Sequence, residues 1–213
     1  MIDLSHLFAD YHDDFPENVI ETASGRLVSF TNPDPDTISL DDIIHSLSGL
    51  PRFVNHTRMP YPVLPHLMLC VAIAKHLEYP LELQRHVIVH DFPEAYMGDC
   101  PAPLKRMLAL FKVIEDLMAE ACYAHFGLEL PTESEHQAVK IVDLLALGVE
   151  RIRLKDDTGY TWGFSPEYWK VCRELDRMLA PIEEIEALAP VFLRELLGNS
   201  PGFINSNYGA KHG

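Results

Sequence analysis

Four residues have the types and settings that metal chemistry requires: His66, the adjacent pair His90 and Asp91, and Asp143. The doublet lies in the apolar stretch VIVHDFPEAYMGD. His90 follows Val87, Ile88 and Val89, so its ring should approach the core, where an adjacent Asp is costly unless paired or metal-bound. Neighbouring side chains on a helix diverge by roughly 100°. One ion can still take both if the helix ends nearby and other helices close the site, and Pro93 should end it there. His66 stands where a Pro-rich stretch gives way to apolar helix. Asp143 borders the face formed by Val139, Val142, Ala146 and Val149. Each has an ordinary alternative: a core His bonded to an N-cap Asp, a polar residue at a helix end, a salt-bridged carboxylate. Taken alone, the doublet fits its ordinary reading better, because two-residue motifs are weak. Together, a His, a His-Asp pair and an Asp from three helices form a mixed N/O donor set. Such a set suits Zn, Mn, Co, Fe or Mg rather than a thiolate site.

The elements that must position these residues are helical. Residues 1–38 lack sustained periodicity and hold a short β-like stretch at Arg26–Phe30 followed by the turn-rich TNPDPDT. Ser39 resembles an N-cap, and Leu40, Ile43, Ile44 and Leu47 then make an apolar face before Gly49. The prolines of 51–65 predict a surface loop, with a helix beginning at about His66. Pro80 suits the first turn of the next helix, which carries Leu83, Val87 and His90 along one side. One long helix is expected from Pro101 to Phe126, stopped by Gly127. Thr132 and Glu135 form a capping box that opens a helix running to about Leu154. Two further segments start at Ser165-Pro166 and Pro181, with Pro190 breaking the second. The fold class is therefore all-α: a single helical bundle over 39–198, an irregular or β-like segment over 1–38 packed on it, and a loose tail over 199–213.

Composition bounds the chemistry. Seventeen basic against 32 acidic residues give a formal charge of −15, which argues against a nucleic-acid polymer as partner. A small phosphorylated molecule is compatible, since a metal and a few local cations can reverse the field inside a cleft. None of Cys70, Cys100, Cys122 and Cys172 is spaced as C-x-x-C. Three of them lie in apolar helical pattern, where a cysteine ordinarily serves as a small buried hydrophobe. The acidic N-terminus has no signal-peptide pattern, and no apolar run approaches the ~20 residues of a membrane span. A cytoplasmic protein is expected, without a membrane partner.

The order H…HD…D, with HDFPEAYMGDCPAPLK after the doublet, resembles the HD-domain metal-dependent phosphohydrolases. It is similar in particular to their 5′-deoxynucleotidase branch, in which a Glu follows three residues after the doublet, ahead of a G-D-x-P-x-P-x-K stretch. The upstream SGRLVSFTNPDPDTISLDDIIHSLSGLPRFVNHTR…YPVLPH resembles phage-encoded members of that branch, among them dATP triphosphohydrolases. The likeness spans about Ser24 to Arg153. It implies an HD-domain bundle that holds one divalent ion (Zn, Co, Mn or Mg) on His66, His90, Asp91 and Asp143, with Mg accompanying the substrate phosphates. It also implies a small-molecule nucleotide substrate, a homo-oligomer, and residence in the host cytoplasm if phage-encoded.

The resemblance further implies Glu94 as general acid/base. Arg52 is then a contact for sugar and phosphate, Phe53 lies against the sugar, and Arg58 and Lys105 contact phosphate. Asp99 orients a sugar hydroxyl or Lys105, and His56 lines the cleft. Two departures stand out: Phe53 where the branch commonly has Trp after its substrate Arg, and Leu67 where Ser commonly follows the first metal His. The expected reaction is hydrolysis of a dNTP to deoxynucleoside and tripolyphosphate, with hydrolysis of a dNMP as the alternative. A nucleotide-binding module without turnover is a more remote reading, since the ligands and Glu94 are all present. Cleavage of a cyclic dinucleotide would call for more suitably spaced histidines. His86 could support His90 from one turn away, although a core or surface role suits it better; His136 and His212 look solvated.

Overall fold

Asp42 explains how the N-terminal segment is attached. In the computed structural model the described residues are 18–197, and for 182–188 the backbone alone. Strands β1 (Val19–Glu21) and β2 (Leu27–Ser29) form an antiparallel hairpin with Ile20 opposite Val28. The carboxylate of Asp42, in helix α1 (Leu40–Gly49), accepts from the Thr22 hydroxyl at 2.9 Å and the Ser24 hydroxyl at 2.7 Å, pinning the hairpin's turn. The β-like stretch thus has a strand partner that was not foreseen, because Val19–Glu21 is too short to show alternation. Ser39 caps α1 as expected, and Leu40, Ile43, Ile44 and Leu47 are buried.

Helix α2 (Val63–His76) lies at the centre, packed on α1, α3, α7 and α9, with every residue from Val63 to Val71 buried. It begins three residues before the expected start at His66. Pro65 does not prevent this, because it falls in the first turn, where an N–H has no partner within the helix. Helix α3 (Leu81–Val89) ends at His90, and the one-turn α4 (Glu94–Met97) follows Pro93 and stops at Gly98, whose φ is +81°.

The long helix expected over 101–126 is two: α5 (Ala102–Lys105) and α6 (Ala109–His125). The reason is an ion pair. In one continuous helix Lys105 and Glu115 would stand about 15 Å apart along the axis, yet their charged atoms are 2.5 Å apart. The break lets α5 fold back to make that contact. Helix α7 (Glu133–Leu154) opens with the expected capping box, and α8 (Pro166–Met178) is capped by Ser165. Helix α9 (Ile182–Leu197) runs through Pro190 rather than breaking there. A mid-helix proline costs roughly 3 kcal/mol, and fully burying one leucine returns roughly 1.5–3. Leu193, Leu196 and Leu197 are all buried, so the packed helix is favoured. The architecture is all-α with one small hairpin, as the patterning predicts. The outermost part of the irregular segment (residues 1–17), the tail (199–213) and His212 lie outside the described residues. His136 is exposed, as expected.

Candidate metal centre

Three chain segments bring the predicted donors together. His66 sits in the first turn of α2, His90 and Asp91 follow the last turn of α3, and Asp143 projects from α7. His66 Nε2 is 3.3 Å from Asp91 Oδ2 and 3.6 Å from Asp143 Oδ1, and His90 Nε2 is 3.2 Å from Asp91 Oδ1. The two imidazole centroids are 5.8 Å apart. These separations exceed the usual N–H···O distance of about 2.9–3.0 Å. They match the roughly 3–3.6 Å expected between donors sharing one ion at bond lengths near 2.0–2.3 Å.

The outer nitrogen of each ring fixes what the inner one presents. His66 Nδ1 is 2.6 Å from Glu150 Oε1, and His90 Nδ1 is 2.6 Å from the carbonyl oxygen of Val87. A carboxylate and a carbonyl only accept, so both Nδ1 atoms donate. In a neutral imidazole Nε2 then carries its lone pair toward the shared centre, the arrangement that supports metal-ligating histidines. His90 Nε2 is buried and has no hydrogen-bond partner. Such an orphaned acceptor among carboxylates fits a cation.

Cys70, one turn beyond His66, places its Sγ 3.4 Å from His66 Nε2. His66, Cys70 and His90 form a group of donors able to hold a metal ion. The sequence reading of Cys70 as a small buried hydrophobe is therefore incomplete. The thiol is buried, and it also faces the centre. The signal available in the sequence was its i+4 spacing from His66, which puts both on one helix face.

Glu150 was also missed. It is fully buried, two helical turns after Asp143, and joins His66 to Arg52, whose Nη2 is 3.2 Å from Glu150 Oε2. Arg52 Nη1 lies 3.7 Å from Asp91 Oδ2, and its buried Nε is without a partner. A carboxylate within the apolar run LLALGVE was the one available clue. Burial tends to raise Glu150's pKa, but Arg52 and then His66 outweigh it and hold the carboxyl below its ordinary value. Burial and Arg52 push His66 down; Cys70, Glu150 and Asp91 prevail and hold it well above its ordinary value. The cluster is thus rich in negative charge and draws positive charge to its centre. Asp143 makes the salt bridge of its ordinary reading and also faces the other donors. Oδ1 lies 3.6 Å from His66 Nε2, while Oδ2 accepts from Lys140 at 2.8 Å.

Glu94 opens α4 beside the centre, buried, with Oε2 lacking a partner. Burial first, then the charges of Asp91 and Asp99, push its carboxyl well above the ordinary range. Asp99 is raised as well, by burial against the opposing pull of Arg52. Lys105 is occupied by Glu115. Phe53 lies beside Arg52, whose guanidinium carbon is 5.5 Å from the ring centroid. His56 and Arg58 do not join the donors. Arg58 bonds the carbonyl oxygens of Arg153 and Leu154 and pairs with Asp156, capping the end of α7, and His56 is exposed beside it. Arg58, expected at the phosphate, is thus bonded at the end of α7, where the last carbonyls of a helix need donors. His86 is buried against Tyr123 at 5.5 Å, a core position.

Among the described residues no helix is long and apolar enough to cross a membrane. No family model matches the chain. An uncharacterized protein of Rhodobacter capsulatus is 27% identical over 134 residues, covering 60% of this chain and 68% of that protein. The uncharacterized protein YfdR of Escherichia coli (strain K12) is 36% identical over 143 residues, covering 67% of this chain and 76% of YfdR. At that identity and coverage, the chain belongs to the YfdR family.

Proposed function

We propose that the protein is a metal-dependent phosphohydrolase of the HD type acting on 2′-deoxynucleotides. One observation carries the reading: two histidines whose Nδ1 atoms are already committed direct Nε2 toward Asp91 and Asp143, with the buried, partnerless Glu94 carboxyl alongside. His66, His90, Asp91 and Asp143 would hold one divalent cation. The adjoining Cys70 thiol favours Zn or Co over Mg, because sulfur is a soft donor. When bound, such an ion lowers the pKa of a coordinated water and polarises a phosphoryl oxygen. Glu94 then moves the proton between the attacking water and the leaving oxygen, a task that suits a carboxyl with a raised pKa. Arg52, fixed by Glu150 and Asp91, has Nε left to meet an anionic oxygen. Phe53 flanks Arg52, Asp99 orients the substrate, and Glu150 acts through His66 as a positioning residue.

A dNTP, with dATP first among them, remains our first substrate, with tripolyphosphate as the leaving product. A specific observation favours the second reading, a 5′-deoxynucleoside monophosphatase. The two expected phosphate contacts that would favour a triphosphate are engaged elsewhere, Lys105 by Glu115 and Arg58 at the end of α7. The test is to incubate protein reconstituted with Co, Mn, Zn or Mg, beside its Glu94→Gln variant, with all dNTPs, all dNMPs and ATP, and to resolve products by chromatography. Glu94-dependent tripolyphosphate release establishes the first reading. Turnover of dNMP alone establishes the second. If every metal leaves every substrate intact, the hydrolase proposal is wrong.

A further inference from the structure

A hollow of about 620 Å³ lies away from the candidate metal centre at the C-terminal end of α7. Its lining includes Asn55, Arg58, Arg151, Lys155, Asp156 and Trp162. Arg58, Arg151 and Lys155 face one carboxylate, Asp156: three positive charges against one, in a chain whose formal charge is −15. The donors of these cations rest mainly on neutral groups. Arg151 bonds the Asp156 carbonyl and the Thr158 hydroxyl, and Lys155 bonds the His56 carbonyl. Asp156, the only carboxylate among the residues that line the hollow, is largely exposed, so its screening is weak. Burial, then the charge of Arg151, lower Lys155's pKa.

Backbone strain gathers at the same place. Phe53, Val54 and Asn55 are consecutive residues with φ of 56°, 52° and 61°, and Trp162 has φ 54°. None is glycine, and a β-branched Val in the left-handed region is a genuine outlier. Such conformations cost of order 1–3 kcal/mol each and persist where surrounding structure holds them, often beside ligand sites. The strained loop contributes Asn55 and His56 to the lining of the hollow, and Trp162 lines it as well. Tyr61, Leu154 and Phe53 pack as a small apolar cluster, of which Leu154 reaches the hollow. Along α7, Leu154 is about 16 Å from Asp143.

We propose that this hollow is a second ligand site, binding the phosphate chain of an oligophosphate independently of the metal centre. Its volume lies within the ~300–1,000 Å³ of small-molecule sites. Two arginines and a lysine in its lining match an anion with several charges better than a single phosphate. The chain could arrive as free polyphosphate or as the tail of a nucleoside triphosphate, where Trp162 would lie near the base.

The experiment is calorimetric titration of the full chain in EDTA with sodium tripolyphosphate, orthophosphate and dATP. Wild type is compared with Lys155→Gln, Arg58→Gln and, as a metal-centre control, Asp143→Asn. Tripolyphosphate should bind wild type and Asp143→Asn equally and orthophosphate far more weakly. Each cation variant should weaken tripolyphosphate about tenfold, as loss of one charge-assisted contact does. Tighter dATP binding with quenched tryptophan emission, lost in Trp162→Phe, identifies a nucleotide as the source. Equal affinity for dATP and tripolyphosphate identifies the phosphate chain alone. Circular-dichroism melting checks folding, and Arg58→Gln serves if Lys155→Gln does not fold. No tripolyphosphate binding up to about 1 mM, or binding lost in Asp143→Asn and kept in both cation variants, overturns the proposal.

Discussion

The middle of α7 and its C-terminal end present opposite electrostatic problems on one helix. At the middle, Asp143 and Glu150 bring negative charge to a core where His66 and Glu150 are wholly buried. Buried charge is costly unless compensated, and here each carboxylate has a defined partner: Lys140 and His66 for Asp143, Arg52 and His66 for Glu150. At the end, Arg58, Arg151 and Lys155 gather beside an open hollow, Arg151 buried and the three bonded mainly to carbonyl and hydroxyl oxygens, with Asp156 as the carboxylate among the lining residues. The first region needs tight geometry to exist at all, which suits the cation we propose for it. The second keeps more positive than negative charge at its lining, which suits the anion we propose for it.

The comparison breaks or sharpens under substitution. The largest effect is expected at Glu94. Glu94→Gln should lower turnover by roughly 10²–10⁴ while leaving metal content, measured by elemental analysis, unchanged; turnover near wild type would remove Glu94 from the chemistry. Next is Glu150→Gln, which takes the anionic acceptor from His66 Nδ1 and from Arg52 at once. Metal affinity should fall roughly 10–100-fold, as it does when a group supporting a ligand is lost, read by competition with a chromophoric chelator. The same variant should lose stability of the order of 3–5 kcal/mol, the cost of leaving a buried charge unpaired, measured by urea denaturation. Its pH dependence has a defined sign. Glu150's folded pKa lies below its ordinary 4.5, so its contribution is complete above that pH and lost as pH falls through the depressed value. Glu150→Gln should therefore flatten the acid limb of the stability profile, and an unchanged limb would refute the assignment.

A smaller effect is expected at Gly148, between Asp143 and Glu150 on the side facing α8. A Cβ there would meet Cys172 Sγ at 2.3 Å and the Tyr168 hydroxyl at 2.5 Å. Gly148→Ala should cost roughly 1–3 kcal/mol from overpacking, with metal affinity changed less than in Glu150→Gln. The smallest effect is a null. Lys155→Gln should leave metal affinity and melting temperature nearly unchanged, and a large loss of either would mean that the two ends of α7 are not independent.

Much of this was legible because it is local. The capping box at Thr132, the Ser39 and Ser165 caps and the Gly127 stop follow from short-range hydrogen bonding and backbone preference. The metal donors were legible as polar residues at apolar positions. The misreadings share a cause. By sequence pattern Pro65 and Pro190 mark breaks, yet position within the first turn excuses the one and burial of neighbouring leucines offsets the other. The continuous helix over 101–126 failed because Lys105 finds Glu115 across a fold that periodicity cannot encode. The resemblance assigns Arg58 to a phosphate, and what the sequence leaves invisible is the end of a helix 95 residues away, to which it bonds.

The sequence by itself determined the helical class and most element boundaries, and it singled out His66, His90, Asp91 and Asp143 as candidate donors, since these rest on residue type and on spacing within a turn or two; Glu94 was singled out by the resemblance. Only the tertiary structure decided which nitrogen of each histidine faces the centre, that the Cys70 thiol lies beside the candidate donors, and that Glu150 stands behind His66. Those facts depend on α2 and α7 meeting across 84 residues, where the direction of a side chain is set by packing and no local pattern records it.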